Sequence, residues 1–480
     1  MSQQAPSCND FQRGAKKALD DSRLQAQLAR TLKDGFQHKR LKAKERLPEY
    51  DALRDRARDI KNHTLENLDA YLERFEVEVT KAGGHVHWAE TPAQARDIIL
   101  DICIANDAKT VTKGKSMISE EIALNDHLAA NGIVPVETDL GEYIIQLRDE
   151  PPSHIIAPAF HISKEQVADT FREHHTHLEK GRDLAEPTQL LNEARGELRQ
   201  QFLGADVGIT GANILIAETG SALIVTNEGN GDLTQSLPPV HIAITSIEKV
   251  VPTLEDAVTL LRLLPRTATG QDMTVYTTFF TGPKRSDDLD GPKEFHIVLL
   301  DNRRSELLGG PLNDVLRCIR CGACMNHCPI YASVSGHAYG WVYPGPIGSV
   351  LNPQLLGIEQ THLLPNACTM CGRCEEVCPV RIPLPDLLRT WRGRAFDAGK
   401  PGGLQRLGLL SWAWLAKRPA LYRAAMRPAL GMMRVLSGKR GRLKWLVGAG
   451  GWTKTRDLPA PQAATKRGGT FMDRYRGGER

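Results

Sequence analysis

Eight of the ten cysteines in this 480-residue chain fall in two short runs. The first is Cys318-x2-Cys321-x2-Cys324-x3-Cys328-Pro329 and the second is Cys368-x2-Cys371-x2-Cys374-x3-Cys378-Pro379. A [4Fe–4S] cubane asks for one thiolate on each of four tetrahedrally placed irons. Three cysteines at x2 spacing wrap a short loop around three of them. The fourth iron is out of that loop's reach, and in two-cluster proteins it takes a cysteine from the other run. The spacing therefore assigns Cys318, Cys321, Cys324 and Cys378 to cluster one, and Cys368, Cys371, Cys374 and Cys328 to cluster two. Gly322 and Gly372 each follow the second cysteine of a run. They let the backbone come close enough for N–H groups to point at sulfur and raise the potential. Zinc would need Cys-x2-Cys pairs separated by a loop, a pattern that two complete four-cysteine runs do not match. No motif cysteine is missing, which disfavours a [3Fe–4S] cluster.

Residues 306–390 are thus expected to form an α-helical two-cluster ferredoxin-type domain. The 39 residues from Pro329 to Ala367 are long for a compact ferredoxin and should add helices around the clusters. Such a module relays single electrons and does not choose a substrate.

Upstream, residues 1–75 are charged and amphipathic. They read as a helical lead-in that packs on the next domain. From 76 to 305 the pattern alternates short apolar runs with helical periods, which predicts an α/β domain with a mostly parallel sheet. Within it AQARDIILDICIAND and ISEEIALNDHLAANGI read as helices. VPVETDL, SHIIAPAF, VHIAITSIEKVV and FHIVLLD read as strands. Asn213–Val225 reads as a hairpin turning near Glu218-Thr219-Gly220-Ser221.

Charge is uneven. Residues 391–480 carry +16 and the remainder −12, for a net +4. A basic, Trp- and Arg-rich, partly disordered tail on an acidic body suggests docking to a partner subunit or to anionic lipid. Pro419 and Pro428 should break its helices. No recognised nucleic-acid module accompanies the charge, so no nucleic acid is expected. No window reaches the roughly 20 apolar residues of a membrane span, and the N-terminus lacks a secretory pattern. The expected location is cytoplasmic, or peripheral at the inner face of the membrane. A reduced compartment also makes a disulfide framework improbable.

Three stretches of the α/β region are candidates for holding a small anion. Lys113, Lys115 and Ser116 lie where a strand gives way to a helix; the alternative is an ordinary helix cap with solvated lysines. Glu218, Thr219, Gly220 and Ser221 form a predicted turn, and turn chemistry alone would explain them. Asn227 belongs to the Gly/Asn loop Thr226–Gly231, which a plain turn also explains. His154, His161, His174, His175 and His241 form no metal-binding arrangement and read as structural. No dinucleotide fingerprint follows any strand, so neither NAD nor FAD is expected. No catalytic residue can be named.

The chain resembles the lactate utilization protein B family. The likeness is carried by TLENLDAYLERF, GGHVHWAET, KGKSMISEEIALNDHL, VETDLGEYIIQL, PPSHIIAPAFH, AETGSALIVTNEGNGDL, PPVHIAITSIEKVVPTLEDA and LLPRTATGQ. It continues through RCIRCGACMNHCPIY and GHAYGWVYPGPIGSVLNP. The resemblance implies that the α/β region is a LUD domain with a CoA-transferase-like fold. It implies an iron–sulfur subunit of a complex oxidising L-lactate to pyruvate. Two partners are implied as well: a cysteine-rich subunit of the heterodisulfide-reductase type and a smaller LUD-domain subunit. The alternatives are a stand-alone oxidoreductase for another small organic acid and an iron–sulfur redox sensor.

Overall fold

All seven residues of the strand Val240–Ser246 are buried. A strand buried on both sides must lie inside a sheet covered on both faces. In the computed structural model, which describes residues 6–114, 116–400, 402–438, 441–446, 453 and 456–459, that sheet is six-stranded and parallel throughout. Through residue 300 the strands are β1 (His85–Ala89), β2 (Thr110–Gly114), β3 (Val134–Glu137), β4 (Val207–Gly211), β5 (Ile214–Ile216), β6 (Ser221–Thr226), β7 (Val240–Ser246), β8 (Val250–Val251), β9 (Tyr276–Phe280) and β10 (Glu294–Leu300). The large sheet runs β1-β10-β7-β4-β2-β3, and a smaller mixed sheet runs β8-β5-β6-β9.

Period-2 alternation sends successive side chains to opposite faces. Ile242, Ile244, Val298 and Leu300 pack with Val111, Ile209 and the helix Pro92–Ala105. Ala243, Ile297 and Leu299 face the other way, onto Phe75 and Val79 of the helix Leu68–Lys81 and onto Leu215, Ile224 and Phe280 of the small sheet. Pro135 is tolerated because β3 is an edge strand. Gly208 lets the helix Asn230–Ser236 lie directly on β4, since a Cβ there would sit 1.8 Å from the Thr234 carbonyl oxygen. Gly208→Ala is expected to lower the unfolding free energy by about 1–3 kcal/mol, the usual cost of overpacking, read from a denaturant titration.

Two compact units make up the chain, residues 1–397 and 398–480. In the first, one continuous core joins the N-terminal helices, the helix Leu254–Ala268 and the cysteine-bearing region. The expected helices between the two cysteine runs are present, the longest being Gly345–Leu355. The last helix, Leu384–Asp397, crosses the expected boundary at 390/391. Its Trp391 is buried, and the indole N–H donates to the Val350 carbonyl at 2.8 Å.

Several expectations change. SHIIAPAF is a series of turns, not a strand. His154 Nδ1 accepts from the backbone N–H of Ile156 and Ala157, and this local bonding competes with a ladder. Ile155 and Phe160 are buried in the cysteine-region core instead. ISEEIALNDHLAANGI makes two helices, Met117–Glu121 and Leu124–Ala130, divided at Ala123, which has φ 55°. In the second unit Pro419 does stand at a break, between the helices Gly403–Ala416 and Pro419–Ser437, whereas Pro428 lies within the second of them without ending it. Apart from five described positions, the expected disordered stretch 451–480 lies outside the described residues.

Candidate metal centre

The two cysteine runs fold as a structural repeat. Arg320 and Met370 both adopt left-handed backbone, at φ 57° and 58°, as do Gly322 and Gly372, at 72° and 80°. Each glycine opens a four-residue helix, Ala323–Asn326 or Arg373–Glu376. The curl turns N–H groups inward. Arg320 N–H donates to Cys318 Sγ at 3.4 Å, Met370 N–H to Cys368 Sγ at 3.3 Å and Ile382 N–H to Cys378 Sγ at 3.4 Å. At Gly322 space also matters, because a Cβ would lie 3.2 Å from His154 Cε1. Gly372 faces open space.

Mutual electrostatics sorts the thiols. Burial is the largest cause raising Cys321, and Cys378 and Cys318 then raise it further. Cys324 is raised by burial, then by Cys321 and Cys318, and more weakly by Cys374 of the other run and by Cys378. Cys374 is pushed up to about 12 by burial, then by Cys368 and Cys328. Cys328 is raised by burial and, more weakly, by Cys368 and Cys371. Cys378 thus stands among the first three cysteines, and Cys328 among the second three. Thiols raised in this way must lose protons to bind metal. Among the described residues no three Cys, His, Asp or Glu side chains could together hold a single metal ion. An all-thiol donor set with inward N–H groups suits an iron–sulfur centre. Cys8 and Cys103 stand apart, and burial pushes both up to about 12.

The N-terminal helices hold the second run in place. Arg54, on the helix Tyr50–Glu66, donates through Nε to the Cys378 carbonyl at 2.9 Å and through Nη2 to the Glu376 carbonyl at 2.6 Å. Arg40 donates to the Val377 carbonyl at 3.3 Å. Both guanidiniums lie over the Tyr50 ring. Arg54→Met, which removes a buried positive charge beside Cys378, is expected to lower the potential of the cluster at Cys318–Cys324. An EPR-monitored redox titration reads this, with the other cluster as internal reference.

The first run is anchored to the α/β region by buried charges. Arg304 Nη2 donates to Glu121 at 2.6 Å, and both side chains are fully buried. Arg304 Nε lies 3.4 Å from Glu248, whose other oxygen is 3.7 Å from Arg320 Nη2. The Arg320 guanidinium stacks 4.3 Å over the Tyr343 ring, and Tyr343 donates to Glu121 at 2.6 Å. Burial alone would raise Glu248, but Arg304, Lys249 and Arg320 hold it at about 2. Lys249 donates to the Cys318 carbonyl at 2.9 Å, and Lys61 donates to the Glu248 carbonyl. None of these roles was foreseen from the sequence. The only local signal was the arginine between Cys318 and Cys321.

The candidate anion residues scatter. Lys113 is not solvated. It is 1% exposed and pairs with Glu137 at 2.6 Å and Glu120 at 3.4 Å. Lys115 lies outside the described residues. Ser116 caps the following helix by accepting from Ser119 N–H at 3.2 Å. Glu218 accepts from Leu254 N–H at 3.1 Å, at the start of another helix. Gly220 has φ 65° and packs on the backbone of Glu78 and Val79. Thr219 and Ser221 bond one another at 2.8 Å. Ser116 and Asn227 border a common cavity. Four of the histidines have internal partners: His154 with Asn326, His161 with Ser153 and Glu150, His175 with Tyr143 and Glu193, and His241 with Thr210.

Comparison with known proteins matches a family described as the LUD domain over residues 72–300 and one described as the 4Fe-4S dicluster domain over 314–382. Three similar proteins are each named lactate utilization protein B. That of Lysinibacillus sphaericus is 42% identical over 457 residues, or 94% of each chain. That of Geobacillus thermodenitrificans is 43% identical, covering 98% of this chain and 95% of its own. That of Bacillus subtilis is 42% identical, covering 97% and 94%.

Proposed function

The chain belongs to the lactate utilization protein B family, and from that premise we propose that it is the iron–sulfur electron-transfer subunit of a complex oxidising L-lactate to pyruvate. The observation that carries the reading is the reciprocal grouping of the thiols. Cys318, Cys321, Cys324 and Cys378 would hold one [4Fe–4S] cluster, and Cys368, Cys371, Cys374 and Cys328 the other. Bound clusters supply one-electron storage. The protein supplies thiolates in fixed positions, N–H donors to sulfur, and cations that favour the reduced state.

Position gives the relay a direction. The first run is packed against the α/β domain through Lys249 and Arg320. In the second run Cys371 is exposed, and Gly372 beside it faces open space. Electrons would enter near Cys318 and leave near Cys371 toward a partner. Partners of the kind the resemblance implies, a cysteine-rich subunit and a smaller LUD-domain subunit, fit this arrangement. Among the described residues no helix is long and apolar enough to cross a membrane. The second unit carries exposed Leu404, Leu407, Trp412 and Trp414 on the helix Gly403–Ala416. With its excess of arginine it suits docking to a partner or to anionic lipid at the inner face of the membrane. Deleting residues 398–480 should leave both clusters intact and weaken complex assembly or membrane fractionation; unchanged behaviour in both would remove that role.

The test of the reading is lactate-dependent cluster reduction followed by EPR. Reduction is expected with the partner subunits present and absent without them. Turnover by the isolated chain with an artificial acceptor would favour a stand-alone oxidoreductase.

A further inference from the structure

A cavity of about 160 Å³ opens at the carboxyl ends of the parallel strands, bordered by Ser116 after β2, by Gly211 to Asn213 at the end of β4, and by Thr245 of β7. The strand order makes this place special. β2 and β4 are neighbours, yet the chain leaves β2 for β3 on one side and leaves β4 for β7 on the other. Crevices at such reversals are where open α/β sheets bind ligands. The opposite wall is the first cysteine loop, through Ile319 and Arg320, so whatever sits here adjoins the first cluster site.

The lining selects a ligand class. Among the described residues two cations line it, Lys249 and Arg320. Positive charge at the wall favours an anionic group such as a carboxylate. The lining carboxylate, Glu228, belongs to an exposed residue. Ile155, Ile156, Ile224 and Leu264 give an apolar side that suits a short carbon chain.

We propose that this cavity binds a short-chain monocarboxylate, its carboxylate against Arg320 and Lys249 and its carbon chain against the isoleucine wall, adjoining the cluster held by Cys318, Cys321, Cys324 and Cys378. The inference deepens the electron-transfer reading and rests on it for the neighbouring cluster. It gives the LUD domain the task of holding a small organic acid beside the first cluster site.

The test uses the full-length, cluster-loaded chain without partners. Propionate, L-lactate and pyruvate are titrated calorimetrically, and the EPR of the reduced clusters is recorded with and without each. Phosphate and malonate serve as comparison anions. Monocarboxylates are expected to bind and to shift the signal of the first cluster while leaving the second unchanged. Arg320→Gln should weaken binding at least tenfold. That residue lies between two cluster cysteines, so a second variant avoids the loop. Thr274 lines the cavity between the exposed Met273 and Val275, and Thr274→Trp should obstruct the cavity, weakening binding at least tenfold at unchanged iron content. The inference is overturned by absent binding to the parent protein, by equal affinity in the parent and Thr274→Trp, or by phosphate binding as well as the monocarboxylates. Its failure and that of the electron-transfer reading are distinguishable. Lactate-driven reduction with partners but no binding here sinks the cavity alone. Binding here without any reduction in the assembled complex sinks the relay alone.

Discussion

Cys378→Ser is expected to damage the cluster built on Cys318, Cys321 and Cys324, 54 to 60 residues upstream, and to spare the one built on its near neighbours Cys368, Cys371 and Cys374. Cys318 acts electrostatically on Cys378, and Cys378 in turn on Cys321. Losing it leaves three thiolates on the first loop, enough for three irons. The oxidised variant should therefore show a new [3Fe–4S]-type EPR signal or lose that cluster altogether. Cys328→Ser should do the reverse, because Cys328 neighbours Cys368 and Cys371. Loss of only the Cys368 cluster in Cys378→Ser would mean that each run closes on itself.

Arg304→Met is expected to cost about 3–5 kcal/mol of stability, the usual effect of removing one partner from a buried ion pair. Two carboxylates depend on this guanidinium. Glu121 receives Nη1 at 3.0 Å and Nη2 at 2.6 Å, and Glu248 lies 3.4 Å from Nε. All three side chains are at most 3% exposed, so water cannot take over. The denaturant midpoint should fall sharply. Adding Glu121→Gln should recover part of the loss, because the neutral amide can still bond Tyr343 and needs no counter-charge. Strictly additive losses would show that the two groups are not coupled. In the parent protein Glu248 is depressed from 4.5 to about 2. A depressed carboxyl stabilises the fold above its unfolded pKa and stops doing so as pH falls through its folded one. That contribution is therefore complete above about pH 4.5 and lost as pH falls toward about 2.

What could be foreseen was what depends on short stretches of chain. The cysteine spacing is local, and a local pattern sufficed to locate the dicluster region. The buried strands Val240–Ser246 and Glu294–Leu300 are continuous apolar runs, and the hairpin turn near Gly220 announced itself by composition. What escaped depends on distant partners. Lys113 read as a surface or anion-binding lysine, but parallel register sets it opposite Glu137 on the next strand. Arg54 offered no hint that it would grip carbonyls 322 and 324 residues away. SHIIAPAF has a strand's composition, yet its apolar side chains find their core among the cysteine-region helices. Of the candidate anion residues, Ser116 follows β2 of the large sheet and Asn227 follows β6 of the small one, and the two border one cavity.

Two mutually interlocked thiolate quartets in a single core are the premise of the relay, and elemental analysis of the purified, anaerobically handled chain tests it most directly. About eight irons and eight inorganic sulfides per chain are expected, four of each per cluster, together with two interacting paramagnets on full reduction. Zinc in place of iron, or iron without acid-labile sulfide, would contradict it.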